Sequence, residues 1–173
     1  MKKYIYFLIV SFLLSMSTVA QDLKEIRILT EGVENKALPK SISIDDHEGW
    51  GHTVGKHVAK KDKYLKKRLK KEKLAAASSF VEKKDAGSAA KRVFNKNLKD
   101  INKWWTKTTK VKETFTANLK VKGYAFFKQN PTKKIQITKK CKVILVLKRN
   151  KKKKLLYILT CYPKPDHKDY DLR

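Results

Sequence analysis

The sequence predicts an α+β fold in which N-terminal helices pack on a C-terminal antiparallel sheet. Between about residues 85 and 105, apolar side chains recur every three or four positions, as they do on the buried face of a helix. Residues 111–129 instead alternate in polarity and are rich in β-branched and aromatic side chains, which is typical of strands. Helices that precede the strands, rather than alternating with them, favour an α+β domain.

Composition sets limits on the class of protein. The 173 residues include 43 Lys and Arg against 16 Asp and Glu, a net charge of +27, and 41% of them are hydrophobic. This length suits one domain, and the apolar fraction argues against disorder of the whole chain. The two cysteines are too few for a disulfide-dense scaffold or a four-thiolate zinc site. Neither GxxxxGK[ST] nor GxGxxG occurs, so no cofactor is expected.

The first 20 residues have the pattern of an export signal. Lys2 and Lys3 precede an apolar stretch over 4–14, and small residues follow up to Ala20, after which we expect cleavage. The alternative is a membrane anchor, but the stretch is shorter than the ~20 residues that span a bilayer. The mature chain is therefore predicted to be secreted or periplasmic, where disulfides can form.

The amino-acid composition divides the rest of the chain into three parts. Residues 21–46 are polar and mixed in charge, and we interpret them as a linker or lead-in. The folded domain is predicted to occupy residues 47–163. Residues 164–173 contain Pro165 and Asp166 and are predicted to be a frayed tail.

Two helices are predicted at the start of this domain. The first is short and spans about residues 51–58. Asp62 can cap the second, which runs to about residue 74 and places Leu65 and Leu69 on one face.

An irregular or strand-like segment over 75–84 follows, and Phe80 and Val81 are expected to be buried in it. Asp85 can cap a third helix that extends to about Trp105. The apolar stripe of this helix comprises Ala86, Ala89, Ala90, Val93, Phe94, Leu98, Ile101 and Trp104.

The strands follow. The alternating segment over 111–129 ends at Asn130-Pro131, and the segments 135–149 and 155–163 are predicted to form an antiparallel hairpin around Lys151.

This hairpin makes a prediction about the two cysteines. If the turn centres on Lys151, Cys141 faces Cys161 directly, close enough for a disulfide in a non-hydrogen-bonded pair. The alternative is two small buried residues that never bond. Alternation also places Thr160 and Tyr162 together on the face opposite Cys161.

The excess of positive charge predicts a polyanionic partner. Nucleic acid, anionic lipid, an acidic polysaccharide and an acidic protein all fit, and charge alone does not choose among them. Only five of the basic residues are arginine, so many lysines could simply form a solvated surface. Each arginine is stronger evidence of a phosphate-binding site than a single lysine, because a guanidinium binds phosphate in a forked geometry.

Three histidines, His47, His52 and His57, lie within eleven residues. A metal site is disfavoured, because the HExxxH spacing that starts at His47 is one residue too long for a helical zinc motif. The histidines are five residues apart, and residues with that spacing do not lie on the same face of a helix.

Acid–base chemistry on a phosphodiester is the second interpretation. Nearby lysines would lower the pKa of His57 and favour the neutral imidazole that acts as a base. Arg68 could stabilise the charge that develops on phosphorus, and RNA supplies its own nucleophile in the 2′-hydroxyl. The alternative is that the histidines only hydrogen-bond loop ends or the core.

The run HEGWGHTVGKHVAKKDKYLKKRL resembles the opening of the bacterial RNase A-like toxin domain found at the C-termini of contact-dependent growth-inhibition proteins. The elements that match, in order, are Gly51-His52-Thr53, His57-Val58, Arg68 eleven residues after His57, Ala77-Ser78-Ser79-Phe80, an alanine-rich helix that ends in tryptophan, and Leu159-Thr160-Cys161-Tyr162-Pro163. The resemblance spans about residues 47–163.

The resemblance implies an RNase A-like, kidney-shaped α+β fold without dense disulfides, in which His57, Arg68, Thr160 and Tyr162 are catalytic. Relatives often carry a small residue at the position of Cys161, so a bridge to Cys141 would be a local addition. The usual carrier is a very large surface protein, whereas this chain is short and has its own signal, which leaves the delivery route open.

The implied function is a secreted, metal-independent endoribonuclease toxin. His57 would take the 2′-hydroxyl proton, Arg68 would stabilise the phosphorane, and Thr160 would orient the base or phosphate. Tyr162 would hydrogen-bond a phosphate oxygen, and Tyr162 or His52 would protonate the 5′-oxygen, leaving a 2′,3′-cyclic phosphate. His52 could equally be a supporting or structural residue.

RNA, including tRNA, is the expected substrate, and an acidic immunity protein is the expected partner of a monomeric toxin that acts in the cytoplasm of a target cell. Two alternatives remain open from the sequence. One is a non-enzymatic cationic protein that binds RNA or an anionic surface, and the other is a metal-dependent nuclease.

Overall fold

The computed structural model describes residues 42–45, 49–150 and 155–172, which all belong to one compact unit over 38–173. The predicted export signal, most of the lead-in, His47 and the basic turn over 151–154 lie outside the described residues. Within the described part of the chain, none of the helices has the length and apolarity needed to cross a bilayer.

Two helices open the domain, as predicted. They are α1 (Thr53–His57) and α2 (Asp62–Lys71). Asp62 is the first residue of α2 rather than its cap, which is Lys61. Leu65 and Leu69 are both buried, so the predicted apolar face of α2 is confirmed.

The predicted third helix is in fact two helices, α3 (Lys83–Lys96) and α4 (Leu98–Lys107). The break falls at Asn97, whose side-chain amide donates to the carbonyls of Val93 at 2.8 Å and Thr116 at 3.1 Å. The backbone N–H of Asn97 still donates to the carbonyl of Val93, at 3.1 Å, so the side-chain bonds add to the helical hydrogen bond at the junction. The stripe is otherwise buried as predicted, but Leu98, at the start of α4, is 44% exposed.

The capping of α3 also differs from the prediction. Glu82 is its N-cap and forms a reciprocal capping box with Asp85, which lies inside the first turn. Val81, just before this cap, is 39% exposed rather than buried, whereas Phe80 is fully buried.

The predicted α+β class is confirmed, but the strands form two three-stranded antiparallel sheets instead of one. The strands are β1 (Ala76–Phe80), β2 (Lys112–Leu119), β3 (Gly123–Phe127), β4 (Asn130–Gln136), β5 (Cys141–Asn150) and β6 (Leu155–Lys164). The first sheet has the order β1-β3-β4 and the second has the order β2-β5-β6.

Each sheet buries one face under a helix. The apolar stripe of α3 and α4 packs on the face of the second sheet that carries Phe115, Leu145 and Cys161. Helix α2 packs through Leu65 and Leu69 on the first sheet. The opposite face of the second sheet is not covered by α3 and α4, and this face contributes to the candidate site.

The register of the β5–β6 hairpin differs from the prediction, and the predicted Cys141–Cys161 disulfide is wrong. Cys161 pairs with Leu145, whereas Cys141 pairs with Leu119 on the other neighbouring strand. Two causes are visible: Asn150 pairs with Leu155, whereas a turn centred on Lys151 would pair it with Lys152, and Leu159 is an extra, unpaired residue in β6. Both cysteines are buried free thiols, and burial raises their pKa values, to about 11 for Cys141.

Candidate active site

The start of α1 is attached to the bulge in β6. The backbone N–H of His52 donates to the carbonyl of Leu159, the bulged residue, at 2.9 Å. The Thr53 hydroxyl oxygen accepts a hydrogen bond from the backbone N–H of Cys161 at 2.8 Å. A Cβ on Gly51 would lie 2.8 Å from the Leu159 carbonyl oxygen, so this close approach requires glycine. The Gly51-His52-Thr53 run therefore joins α1 to the last strand.

His57, the last residue of α1, is held between two strands. Its ring stacks on Tyr162 of β6, with ring centroids 4.7 Å apart and planes inclined by 18°. Its Nδ1 lies 3.5 Å from the carbonyl oxygen of Ser78 on β1. The Ser78 hydroxyl in turn donates to the Pro163 carbonyl, which ties β1 to β6. A proton on Nδ1 leaves the lone pair of Nε2 free to act as a base.

The surroundings of His57 favour its neutral form. The residue is 6% exposed. Burial, together with the positive charge of Arg68, lowers the pKa of His57 to about 3, and the Ser78 carbonyl opposes this only in part. Burial and the charges of Lys56 and Arg68 also lower the pKa of His52. A bound phosphate would oppose both shifts, because a nearby negative charge favours the protonated imidazole.

This shift predicts a pH dependence of stability. The pKa of His57 is about 3 in the folded protein against an ordinary value of 6.5. Between these values the unfolded chain binds a proton that the folded chain does not, so the free energy of unfolding falls as the pH falls. From pH 7 to 4.5 we expect His57 to contribute a loss of about 2–3 kcal/mol.

Urea unfolding of the wild type and His57→Asn at pH 7 and 4.5 measures this contribution. The carboxyl groups titrate in both proteins, so the difference between the two pH dependences isolates the imidazole. Equal losses in wild type and variant would contradict the prediction.

Arg68 reaches the site from α2, and its side chain is 12% exposed. Its Nε donates to Oε1 of Glu72 at 2.9 Å and its Nη2 donates to Oε2 at 2.8 Å. Nη1 makes a longer contact of 3.4 Å with the carbonyl oxygen of Lys56 in α1. The bond to Glu72 raises the pKa of Arg68, and Arg68 lowers that of Glu72. Glu72 is not among the residues selected from the sequence, although its position four residues after Arg68 is the spacing of a helical ion pair.

Thr160 and Tyr162 lie two residues apart on β6, on the face opposite the buried Cys161, as predicted. Thr160 is 6% exposed, and its hydroxyl oxygen is buried without a hydrogen-bond partner among the described residues. Such a group costs stability unless something else satisfies it. Burial raises the pKa of the Tyr162 phenol, which therefore stays protonated at neutral pH.

These side chains line one cleft with a volume of about 1130 Å³. The structure brings together five of the residues selected from the sequence, which are His52, His57, Arg68, Thr160 and Tyr162. The ring centroids of His52 and His57 are 6.4 Å apart. Within the ranges that the structure describes, no group of three His, Cys, Asp or Glu side chains is placed to hold a metal ion.

Part of the remaining wall of the cleft is basic. Asn118, Lys142 and Lys164 form a row across the second sheet, because Asn118 pairs with Lys142 and Lys142 pairs with Lys164. This row lines the cleft together with Lys56. The cleft can therefore attract an anionic chain and present it to the imidazole, the guanidinium and the Thr160 hydroxyl.

Comparisons with known proteins identify the family. The family model of the bacterial CdiA-CT RNAse A domain matches residues 51–163, more than half of the chain. A chain in the crystal structure of a CdiA-CT/CdiI complex from Y. kristensenii 33638 has a similar fold, with a TM-score of 0.55 and 20% sequence identity over 66% of this chain and 100% of that chain. Comparison with the curated proteins finds no match. The model match shows that this chain belongs to the bacterial CdiA-CT RNAse A domain family.

Proposed function

We propose that this domain is a metal-independent endoribonuclease toxin that cleaves RNA by transphosphorylation. The observation that carries the proposal is the convergence of the His57 imidazole, the Arg68 guanidinium and the unpartnered Thr160 hydroxyl on one cleft. Membership of the CdiA-CT RNAse A domain family supports the same class of reaction.

In the proposed reaction, Nε2 of His57 accepts the proton of the 2′-hydroxyl, and the 2′-oxygen attacks phosphorus. The bond from phosphorus to the 5′-oxygen breaks, which leaves a 2′,3′-cyclic phosphate on one product and a 5′-hydroxyl on the other. Arg68 stabilises the negative charge of the phosphorane. The neutral form of His57, favoured by its burial, is the form that this first step requires.

The leaving 5′-oxygen needs a proton. Two side chains in the cleft can supply it: Tyr162, whose phenol is protonated at neutral pH, and His52, whose protonated form a bound phosphate would favour. Thr160 can satisfy its buried hydroxyl by bonding to the base or to a phosphate oxygen of the substrate.

We propose that the RNA lies along the uncovered face of the second sheet. Lys142 and Lys164 would bind phosphates, and the amide of Asn118 can both donate to and accept from a base. Binding through such lysines weakens steeply as the salt concentration rises, because the counterions released from the RNA then gain less entropy.

An acidic immunity protein is the proposed protein partner. The similar chain from Y. kristensenii was solved in a CdiA-CT/CdiI complex. A cleft walled by lysines would attract an acidic inhibitor for the reason that it attracts RNA. We further propose that the domain acts as a monomer in the cytoplasm of a target cell after export from the producer.

The test is to incubate the mature chain with RNA and with DNA of the same sequence in EDTA. We expect cleavage of the RNA to 2′,3′-cyclic ends and no cleavage of the DNA, which lacks the nucleophile. RNA that stays intact but is retained in a salt-sensitive complex would instead support a non-enzymatic binding protein. Cleavage that the chelator abolishes would support a metal-dependent nuclease.

A further inference from the structure

Glu72 is an acidic side chain inside a basic cleft, and the proposed mechanism does not use it. It stands at the C-terminal end of α2, where its backbone N–H donates to the carbonyl of Arg68 at 2.8 Å. Both of its carboxylate oxygens bind the guanidinium of Arg68, at 2.9 and 2.8 Å. The carboxylate is thus presented from a rigid part of the fold to the residue that should meet the phosphate.

The donors of Arg68 can be counted. A guanidinium has five N–H groups, one on Nε and two on each Nη. Glu72 takes the Nε donor and one Nη2 donor, and the Lys56 carbonyl takes one Nη1 donor. One N–H on each Nη therefore remains, and two donors are what a forked bond to two phosphate oxygens requires.

The charges around Arg68 explain why it needs this support. Lys56 belongs to the same cleft wall, and His57 and His52 lie beside it. Without Glu72, repulsion from Lys56 and the many rotamers of an arginine side chain would favour positions further out in solvent. The bidentate bond keeps the guanidinium at the wall of the cleft, where its side chain is 12% exposed.

We propose that Glu72 is a positioning residue of this site: its carboxylate stays bound to Nε and Nη2 of Arg68 and directs the two remaining N–H groups toward the scissile phosphate. This inference rests on the proposed ribonuclease function. In the opposite role, the carboxylate of Glu72 would compete with the phosphate for the guanidinium of Arg68 and would have to move away before RNA could bind.

The two roles predict opposite effects of Glu72→Gln, which keeps the shape of the side chain but removes its charge. For a positioning residue, kcat on a short oligoribonucleotide should fall about 10- to 100-fold, because a small displacement of a catalytic group is costly. KM should change less than about threefold, and Glu72→Asp, which keeps the charge on a shorter side chain, should recover part of kcat.

Glu113→Gln is the matched control for charge. Glu113 is also a glutamate bound to a basic side chain, Lys110 at 3.2 Å, and it does not line the cleft. Loss of one negative charge should strengthen binding of a polyanion in both variants, so Glu113→Gln measures the part of the effect that comes from net charge. Glu72 lies closer to the bound strand, but its loss also frees Arg68 from the position that binds phosphate, so we expect Glu72→Gln to bind a 2′-deoxy oligonucleotide, which cannot be cleaved, no more tightly than Glu113→Gln.

A second readout does not depend on catalysis. The Nε–H resonance of Arg68 should be visible by NMR in the wild type, persist when the 2′-deoxy oligonucleotide is added, and broaden or vanish in Glu72→Gln. This pattern reports the bond to Glu72 directly, whether or not the variant has lost stability.

Several outcomes would overturn the inference. Glu72→Gln with unchanged kcat would show that Arg68 needs no support. Tighter binding of the 2′-deoxy oligonucleotide than in Glu113→Gln, with a raised kcat/KM, would identify Glu72 as a competitor. If the wild type leaves RNA intact, the proposed function itself fails and the inference falls with it, so the two failures are distinguishable.

Discussion

Substitution of His57 by alanine is expected to lower kcat/KM for RNA cleavage in EDTA by about 10²–10⁴, the usual contribution of one positioned proton-transfer group. The reason is that His57 is the buried imidazole in the cleft and its neutral form is strongly favoured. Initial rates on a defined oligoribonucleotide measure the effect, and the RNA-binding affinity should change little.

Alanine at this position also removes the ring that stacks on Tyr162, so loss of packing must be separated from loss of the base. Two comparisons do this. Free imidazole added to His57→Ala should restore part of the rate, because it can occupy the space and accept the proton. His167→Ala removes a histidine elsewhere on the wall of the same cleft, at the start of a 3₁₀ turn, and should leave the rate near that of the wild type because no step of the proposed reaction uses it. A His57→Ala protein with nearly full activity would rule out the imidazole as the base.

Substitution of Arg68 by lysine is expected to lower kcat by about 10²–10³, the cost of removing a preorganised donor to transition-state charge. Lysine keeps the positive charge but cannot form the fork, nor can it bind Glu72 through two parallel bonds. The loss should therefore fall mainly on kcat rather than on KM, and steady-state kinetics on the same oligoribonucleotide separate the two.

Arg92→Lys is the matched control for this change. Arg92 lies on α3 and donates to the Lys120 carbonyl at 3.1 Å, outside the cleft. It should retain wild-type kinetics. If Arg68→Lys were as active as Arg92→Lys, the guanidinium would have no special part in the reaction, and net charge alone would account for the role of residue 68.

The candidate site was selected through the family resemblance, whose motifs can be recognised without knowing how the strands pair. Thr160 and Tyr162 are two residues apart, so they share a face of any strand whatever its partner. The partner itself could not be predicted. The bulge at Leu159 shifts the register of β6 by one residue, and the Leu159 carbonyl accepts a hydrogen bond from the distant His52, a tertiary contact that no local pattern of residues encodes.

Other differences have the same origin in tertiary contacts. The helical stripe continues on both sides of Asn97, and the break there coincides with a tertiary hydrogen bond from the Asn97 amide to the carbonyl of Thr116 in β2. Arg149 is another of the five arginines, but its guanidinium donates to the carbonyls of Trp105 and Thr108 at the end of α4. The residues next to each arginine in the sequence do not show that Arg149 bonds to the backbone and Arg68 lines the cleft. That difference depends on which part of the folded chain each side chain contacts.

The bond from the Cys161 N–H to the Thr53 hydroxyl joins residues that are 108 positions apart. A growing polypeptide that has left the ribosome only as far as β5 already contains His57 and Arg68, but not the strand to which α1 attaches. Contacts of such long range form late in folding. The candidate site is thus complete only once the last strand has been synthesised, because Thr160 and Tyr162 both belong to that strand.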